Sequence, residues 1–218
     1  MARLLHIDSS SSKDSVSRSL AARFREVWDK EHGADSVIHR DLVAEPVPHL
    51  DPDAVVTLWA PPGTEAQRAT AALQERLVEE LLAADALLIS VPMYNWTIPS
   101  VLKAWLDQSL ILGRTLPYDP SSKPLGGRAA TVLIACGGYY GEGSPDAGMD
   151  HCGPYLRTVL GQVLGYEVEM ITAWRTLAGA GAGSPEEAEL AGESLREARE
   201  LAGRRAAGLA SPRAVGAV

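Results

Sequence analysis

Five short segments, nearly all apolar and separated by helix-type patterns, constrain the fold of this chain more than any other feature. They are Arg3 to Ile7, Ser36 to Arg40, Ala86 to Val91, Ala129 to Ala135 and Glu167 to Thr172. A strand that is apolar at consecutive positions is buried on both faces, whereas a strand with one wet face alternates. Between the segments, apolar residues recur at helical spacing: Leu20, Phe24, Val27 and Trp28, then Leu73, Leu77, Leu81 and Leu82, then Ile98, Leu102, Trp105 and Leu106, then Tyr155, Leu156, Val159, Leu160 and Val163. Strands alternating with helices predict an α/β fold, a doubly wound five-stranded parallel sheet with helices on both faces. A last alanine-rich helix is expected from about Ser184, an N-cap ahead of Pro185, to about Ala207. Residues 1–207 read as a single domain and 208–218 as a flexible tail.

Composition removes several classes of function. The chain has 218 residues, and a 46% apolar fraction fills one core of that size. A net charge of -8, with no basic run, argues against a nucleic-acid surface. The longest apolar stretches fall short of the roughly 20 residues that a membrane span needs, and "MARLLHID" lacks the pattern of a secretory signal. Cys136 and Cys152 are the only cysteines and read as reduced thiols, so a cytoplasmic location is expected. There is no internal repeat and no zinc-type spacing of Cys or His, so no metal is expected. The proline-rich stretch from Asp41 to Gly63 is too long for a plain connection and is expected to be functional or to cover an interface.

In an open parallel sheet, ligands bind beyond the carboxyl ends of the strands. The loops that follow strands therefore carry the functional signal. After the first strand comes "DSSSSKDSVSRSL", a run of hydroxyls that opens a helix; its N–H groups and partial positive charge can hold a phosphate without a lysine. Neither G-x-G-x-x-G nor G-x-x-x-x-G-K-[ST] is present, so a single phosphate is the better reading. After the third strand comes "PMYNWTIPS", whose Met, Tyr and Trp suit a flat apolar neighbour better than water. After the fourth comes "CGGYYGEGSPDAG", where Gly137 and Gly138 permit close backbone approach and Tyr139 and Tyr140 can cover a ligand. Together these loops describe a pocket for a planar ring with one phosphate tail, which fits FMN.

At this point the sequence resembles the FMN-dependent NADH azoreductases, which are also NADH:quinone oxidoreductases of flavodoxin-like fold. The resemblance runs from the start to about Arg175. Its most specific part is Pro92-Met93-Tyr94-Asn95 followed by Ile98, Pro99, Leu102, Lys103, Ala104 and Asp107. Further agreement lies in Ser10, Ser15, Ser17, Asp41-Leu42, Pro46, Pro48, Thr115, Tyr118, Gly137-Gly138 and Pro154-Tyr155-Leu156. The resemblance implies that Ser10, Ser15, Val16 and Ser17 hold the FMN phosphate. It implies that Pro92, Met93, Tyr94, Asn95 and Trp96 lie along the isoalloxazine, and that Cys136, Gly137 and Gly138 meet its pyrimidine end. Tyr118, Tyr139 and Tyr140 are expected to line the substrate pocket. It further implies a homodimer with a shared pocket, NADH or NADPH as donor, and quinones, azo compounds or nitroaromatics as acceptors.

The chain departs from the family pattern at Trp96, often phenylalanine in relatives, at Ala135-Cys136 where relatives often have Ser-Arg, and at Val16 where a polar residue is common. These changes bear on substrate range and redox potential more than on FMN binding. Hydride chemistry belongs to the cofactor, so no catalytic side chain is assigned. A ping-pong order is expected, with donor and acceptor using one flavin face in turn. The rival is a flavodoxin-like carrier of single electrons to a protein partner; the length, the proline-rich insertion and the "PMYNWTIPS" loop favour the enzyme. A flavin reductase that releases its FMN is a second rival, separated by whether colour stays with the protein through gel filtration.

Overall fold

A computed structural model describes residues 1–119 and 121–210. Its strands are β1 Leu4–Asp8, β2 Val37–Asp41, β3 Ala86–Pro92, β4 Ala129–Ala135 and β5 Glu167–Ala173. All pair in parallel in the order β2-β1-β3-β4-β5. This is the expected flavodoxin-like doubly wound sheet. β1, β3 and β4 are buried at every residue, as continuous apolar strands require, while the edge strands β2 and β5 are only partly covered.

The helices are α1 Val16–His32, α2 Pro52–Thr57, α3 Glu65–Ala83, α4 Ser100–Ser109, α5 Gly153–Leu156, α6 Thr176–Gly179 and α7 Pro185–Ala210. α5 continues as a π-helical stretch, Arg157–Val163. On one face, Leu20, Phe24 and Trp28 of α1 pack with Ala198, Ala202 and Ala206 of α7. Alanines four residues apart let α7 come close to α1, and burying each large α1 side chain contributes about 1.5 to 3 kcal/mol. On the other face, Leu77 and Leu81 of α3, Leu102 and Trp105 of α4 and Leu156 of α5 join Val132 and Ile134 of β4.

Local chemistry fixes the helix starts. Thr64 and Gln67 form a reciprocal capping box at α3, and Ser184 with Glu187 does the same at α7. α7 extends to Ala210, so residues 208–210, expected in the flexible tail, are helical; the rest of that expected tail, 211–218, lies outside the described residues.

The proline-rich stretch packs against α3 and α4. Buried Gln74 donates to Gln108 at 2.9 Å and to the Ala54 carbonyl at 3.3 Å, and Gln108 donates to the Pro48 carbonyl at 3.2 Å. These bonds satisfy buried amides that would otherwise be costly. The stretch thus closes the core on this side.

Candidate functional site

Strand order reverses between β1 and β3, so α1 and α4 leave toward opposite faces and a crevice opens at the carboxyl ends. A cavity of about 350 Å³ lies there, with Ser10, Ser15, Val16, Pro92, Met93, Tyr94 and Gly137 in its wall. Seven of the twelve residues expected to bind the cofactor are thereby brought together.

The serine loop forms the first wall. Ser15 is the N-cap of α1; its Oγ accepts the Arg18 N–H at 3.2 Å and lies 3.1 Å from the Ser17 Oγ. Ser17 itself is fully buried behind the wall. The N–H groups of Val16 and Ser17, at the first two helical positions, have no intrahelical acceptor. Arg18 donates to both Asp41 oxygens, at 2.7 and 2.8 Å, to the Ser10 carbonyl at 2.9 Å and to Asp8 at 3.3 Å. The guanidinium is engaged with two carboxylates, so it braces the loop from behind rather than meeting a ligand.

The carboxylates are ionised. Burial alone would push Asp8 up, but the His39 hydrogen bond, the adjacent His6 ring and the Ser90 hydroxyl outweigh it and hold the carboxyl well below its usual range. The Arg18 hydrogen bond is the main reason that Asp41 falls to about 2. His6 is pushed down by burial and is neutral at pH 7.

The second wall is a tight turn. Tyr94 and Thr97 exchange backbone hydrogen bonds of 3.0 and 3.1 Å, and the two central residues, Asn95 and Trp96, have φ of 47° and 64°. This is the I′ pattern, which favours Asn-Gly; Asn tolerates it, but a tryptophan there is strained. The Trp96 carbonyl accepts from the His151 N–H at 3.0 Å, tying the turn to the segment before α5. Among the described residues, the N–H groups of Asn95 and Trp96 have no partner. The Tyr94 hydroxyl accepts from the Ser11 N–H at 3.2 Å, linking the turn to the serine loop. Asn95 and Tyr94 also line a second cleft of about 530 Å³ on the α4 side, with Lys103 and Tyr155. Trp96 stands 45% exposed at the tip and lines neither cavity.

The third wall is the loop after β4. The carbonyls of Cys136, Gly137 and Gly138 accept from the N–H groups of Thr176, Leu177 and Arg175 at 3.0, 3.3 and 3.0 Å. The Gly137 and Gly138 N–H groups have no partner among the described residues. A Cβ on Gly137 would lie 2.8 Å from Leu177 Cδ1. Gly138, Tyr139 and Tyr140 line a cleft of about 620 Å³ that shares Gly137 and Leu177 with the first cavity. The Arg175 guanidinium lies over the Tyr139 ring, 4.2 Å from its centroid.

Besides Ser17 and Trp96, two further residues are placed apart from the cavities. The Cys136 thiol lies in the core with Val132 and Ile134. Burial pushes Cys136 up, and Cys152 up to about 12, so neither offers a thiolate. Tyr118 is 75% exposed and belongs to none of these cavities. Sequence reasoning missed the loop after β5, whose Thr176, Leu177 and Ala180 line the first cavity; its position after a strand is the only signal it carries.

Comparison with known proteins agrees with this fold. The flavodoxin-like fold family model matches residues 2–200. A protein of Streptomyces avermitilis named FMN-dependent NADH:quinone oxidoreductase is 42% identical over 214 residues, covering 96% of this chain and 98% of that one. A protein of the same name from Azotobacter vinelandii is 46% identical over 179 residues, covering 79% and 87%. The crystal structure of an FMN-dependent NADH-azoreductase from Bacillus anthracis in complex with FMN superposes with a TM-score of 0.76 at 22% identity, covering 94% of this chain and all of that one.

Proposed function

Because the chain belongs to the flavodoxin-like family, among the FMN-dependent NADH:quinone oxidoreductases, we propose that it binds one noncovalent FMN and transfers electrons from NADH or NADPH to quinones, azo compounds or nitroaromatics. The observation that carries the reading is one cavity that joins the serine loop and the N-terminus of α1, a Met and Tyr wall and an open glycine edge. Its volume of about 350 Å³ is of the size that small-molecule sites use. The close approach of Leu177 to Gly137 leaves room for a ring edge only where no Cβ stands. When bound, FMN supplies hydride acceptance and two-electron donation.

The residues position and shield. The hydroxyls of Ser10 and Ser15, with the first N–H groups of α1, hold the phosphate. Ser17 supports Ser15 from behind. Pro92, Met93 and Tyr94 would wall one side of the ring, and the unpaired N–H groups of Asn95 and Trp96, at the turn beside this cavity, would be the nearest donors to its polar edge. Gly137 and Gly138 offer their N–H groups to the pyrimidine end. Cys136, with its N–H paired to the Ala173 carbonyl and its carbonyl to Thr176, anchors the glycine loop rather than meeting the ring. Tyr139 and Tyr140 border the acceptor. Tyr118 reaches an acceptor only from the partner of a homodimer, which we place on the α4 side. No side chain is required to move a proton, and water can supply it.

The test is direct. Purified cytoplasmic protein is expected to be yellow, to keep its colour through gel filtration and to bleach with NADH alone under anaerobic conditions. FAD in place of FMN, or colourless protein that FMN cannot reconstitute, overturns the cofactor assignment. Bleaching only with a reductase partner favours the electron carrier. Double-reciprocal plots against a quinone are expected to give parallel lines, since one open face serves both substrates; intersecting lines overturn the ping-pong order.

A further inference from the structure

His6 of β1 and His39 of β2 are register partners on adjacent parallel strands, and Asp8 lies two residues beyond His6 on the same face. Their rings stack with centroids 4.7 Å apart. His6 Nε2 is 3.4 Å from one Asp8 oxygen and His39 Nε2 is 2.9 Å from the other, and all three ligand atoms fall within 4.8 Å of one another. His6 Nε2 is buried with no hydrogen-bond partner of good geometry, although the residue is only 5% exposed. A buried polar atom left in this way needs an explanation.

We propose that His6, His39 and Asp8 form a site for a divalent transition-metal ion of the zinc class. Two imidazoles and a carboxylate are the donor set that suits Zn²⁺, whereas Mg²⁺ and Ca²⁺ prefer oxygen ligands. Tetrahedral bonds of about 2.0 to 2.1 Å separate ligand atoms by roughly 3.3 Å. The His6 to Asp8 spacing already matches, and the 46% exposed His39 side chain has freedom to adjust and opens the way in from the β2 edge. Three protein ligands leave a fourth position for water.

The surrounding groups set the cost. Metal on His6 Nε2 places the ring proton on Nδ1, so Arg25, now 3.4 Å from Nδ1, must turn wholly to Asp29, to which it already donates at 3.1 and 3.2 Å. Arg18 loosens from Asp8 and keeps its two bonds to Asp41. The Ser90 hydroxyl continues to donate to Asp8 and orients it. The ion would clamp β1 to β2 directly beneath the serine loop.

The experiment uses full-length protein without a histidine tag, carrying whatever flavin it retains. Zn²⁺ titration by calorimetry is expected to give one ion per chain, with Co²⁺ giving the visible bands of a low-coordinate site. His39→Ala is expected to weaken Zn²⁺ binding about tenfold or more, since loss even of a supporting group around a metal costs that much. His49→Ala, at an exposed position outside the cluster, is expected to leave it unchanged. Flavin content and thermal midpoint without metal, measured on the same samples, separate a folding defect or a failure of the flavin reading from loss of the metal site. Absence of stoichiometric binding, or binding that His39→Ala does not weaken, overturns the site.

Discussion

The serine loop and the Tyr94–Thr97 turn border the same cavity but are held by opposite means. The loop is relaxed: every strong constraint on it is a hydrogen bond, from the Ser15 cap to the Arg18 contact with Ser10. The turn is tense, with two consecutive residues at positive φ and a tryptophan at the second. A charged, compact phosphate is satisfied by donors that adjust over a few tenths of an ångström. A flat ring needs a wall fixed in angle, and backbone strain tolerated by the fold supplies that fixity. The contrast predicts that changes in the loop alter affinity for the phosphate, whereas changes in the turn alter fold stability and the acceptor.

The strongest break of this contrast is Ser15→Asp. Aspartate caps a helix as well as serine does, so the fold should hold, while the added charge and the lost donor should weaken FMN by about 3 kcal/mol, roughly a hundredfold. Riboflavin, lacking the phosphate, should bind unchanged; equal weakening of both flavins in a fluorescence titration would show the loop to be structural only. Arg18→Gln comes next. It leaves Asp8 and Asp41 without their cation and should cost about 2 kcal/mol in urea denaturation, together with weaker FMN binding.

The same network predicts acid lability. Asp8 and Asp41 have depressed folded pKa values, so their contribution is present above the unfolded value of about 3.9 and is lost as pH falls through the folded values, about 2 for Asp41. His6 is also depressed, so acidification below its unfolded value of about 6.5 already begins to act against the fold. Thermal midpoints should fall from pH 7 to pH 5, and His6→Gln should flatten that interval. A flat wild-type profile would remove the role given to burial of His6.

Smaller effects sharpen the comparison on the other walls. Gly137→Ala meets only the end of the exposed Leu177 side chain, so folding should be nearly unaffected, while FMN affinity should drop by about 1 kcal/mol as the ring edge is displaced. Trp96→Gly should stabilise the protein by up to about 1 kcal/mol by releasing the left-handed strain, visible as a higher melting temperature, and should change KM for quinones more than FMN affinity. A lower melting temperature would mean that Trp96 packing outweighs the strain.

The strands were legible to within a residue or so because continuous apolar runs leave one way to be buried. Three of the four loops at the site were legible through unusual residue types placed after strands. The β5 loop was not, since Thr176, Leu177 and Ala180 carry no chemical signature. The direction of Cys136 follows from parity: Ala130, Val132, Ile134 and Cys136 share one face of β4, and the glycines after it drew the reading toward the cavity instead. The I′ turn was hidden because its usual glycine is absent. Scattered histidines gave no metal signal, since His6 and His39 meet only through strand pairing.

The π-helical stretch Arg157–Val163 has a consequence for how the chain can vary over evolutionary time. A π turn accommodates one residue more than an α turn over the same rise. A single deletion within 157–163 can therefore be absorbed by tightening this stretch to α geometry, leaving α5 and β5 in place. Descendants of this chain can differ in length here without disturbing the glycine loop that precedes α5, whereas a deletion in β4, paired on both sides, would shift every side chain to the wrong face.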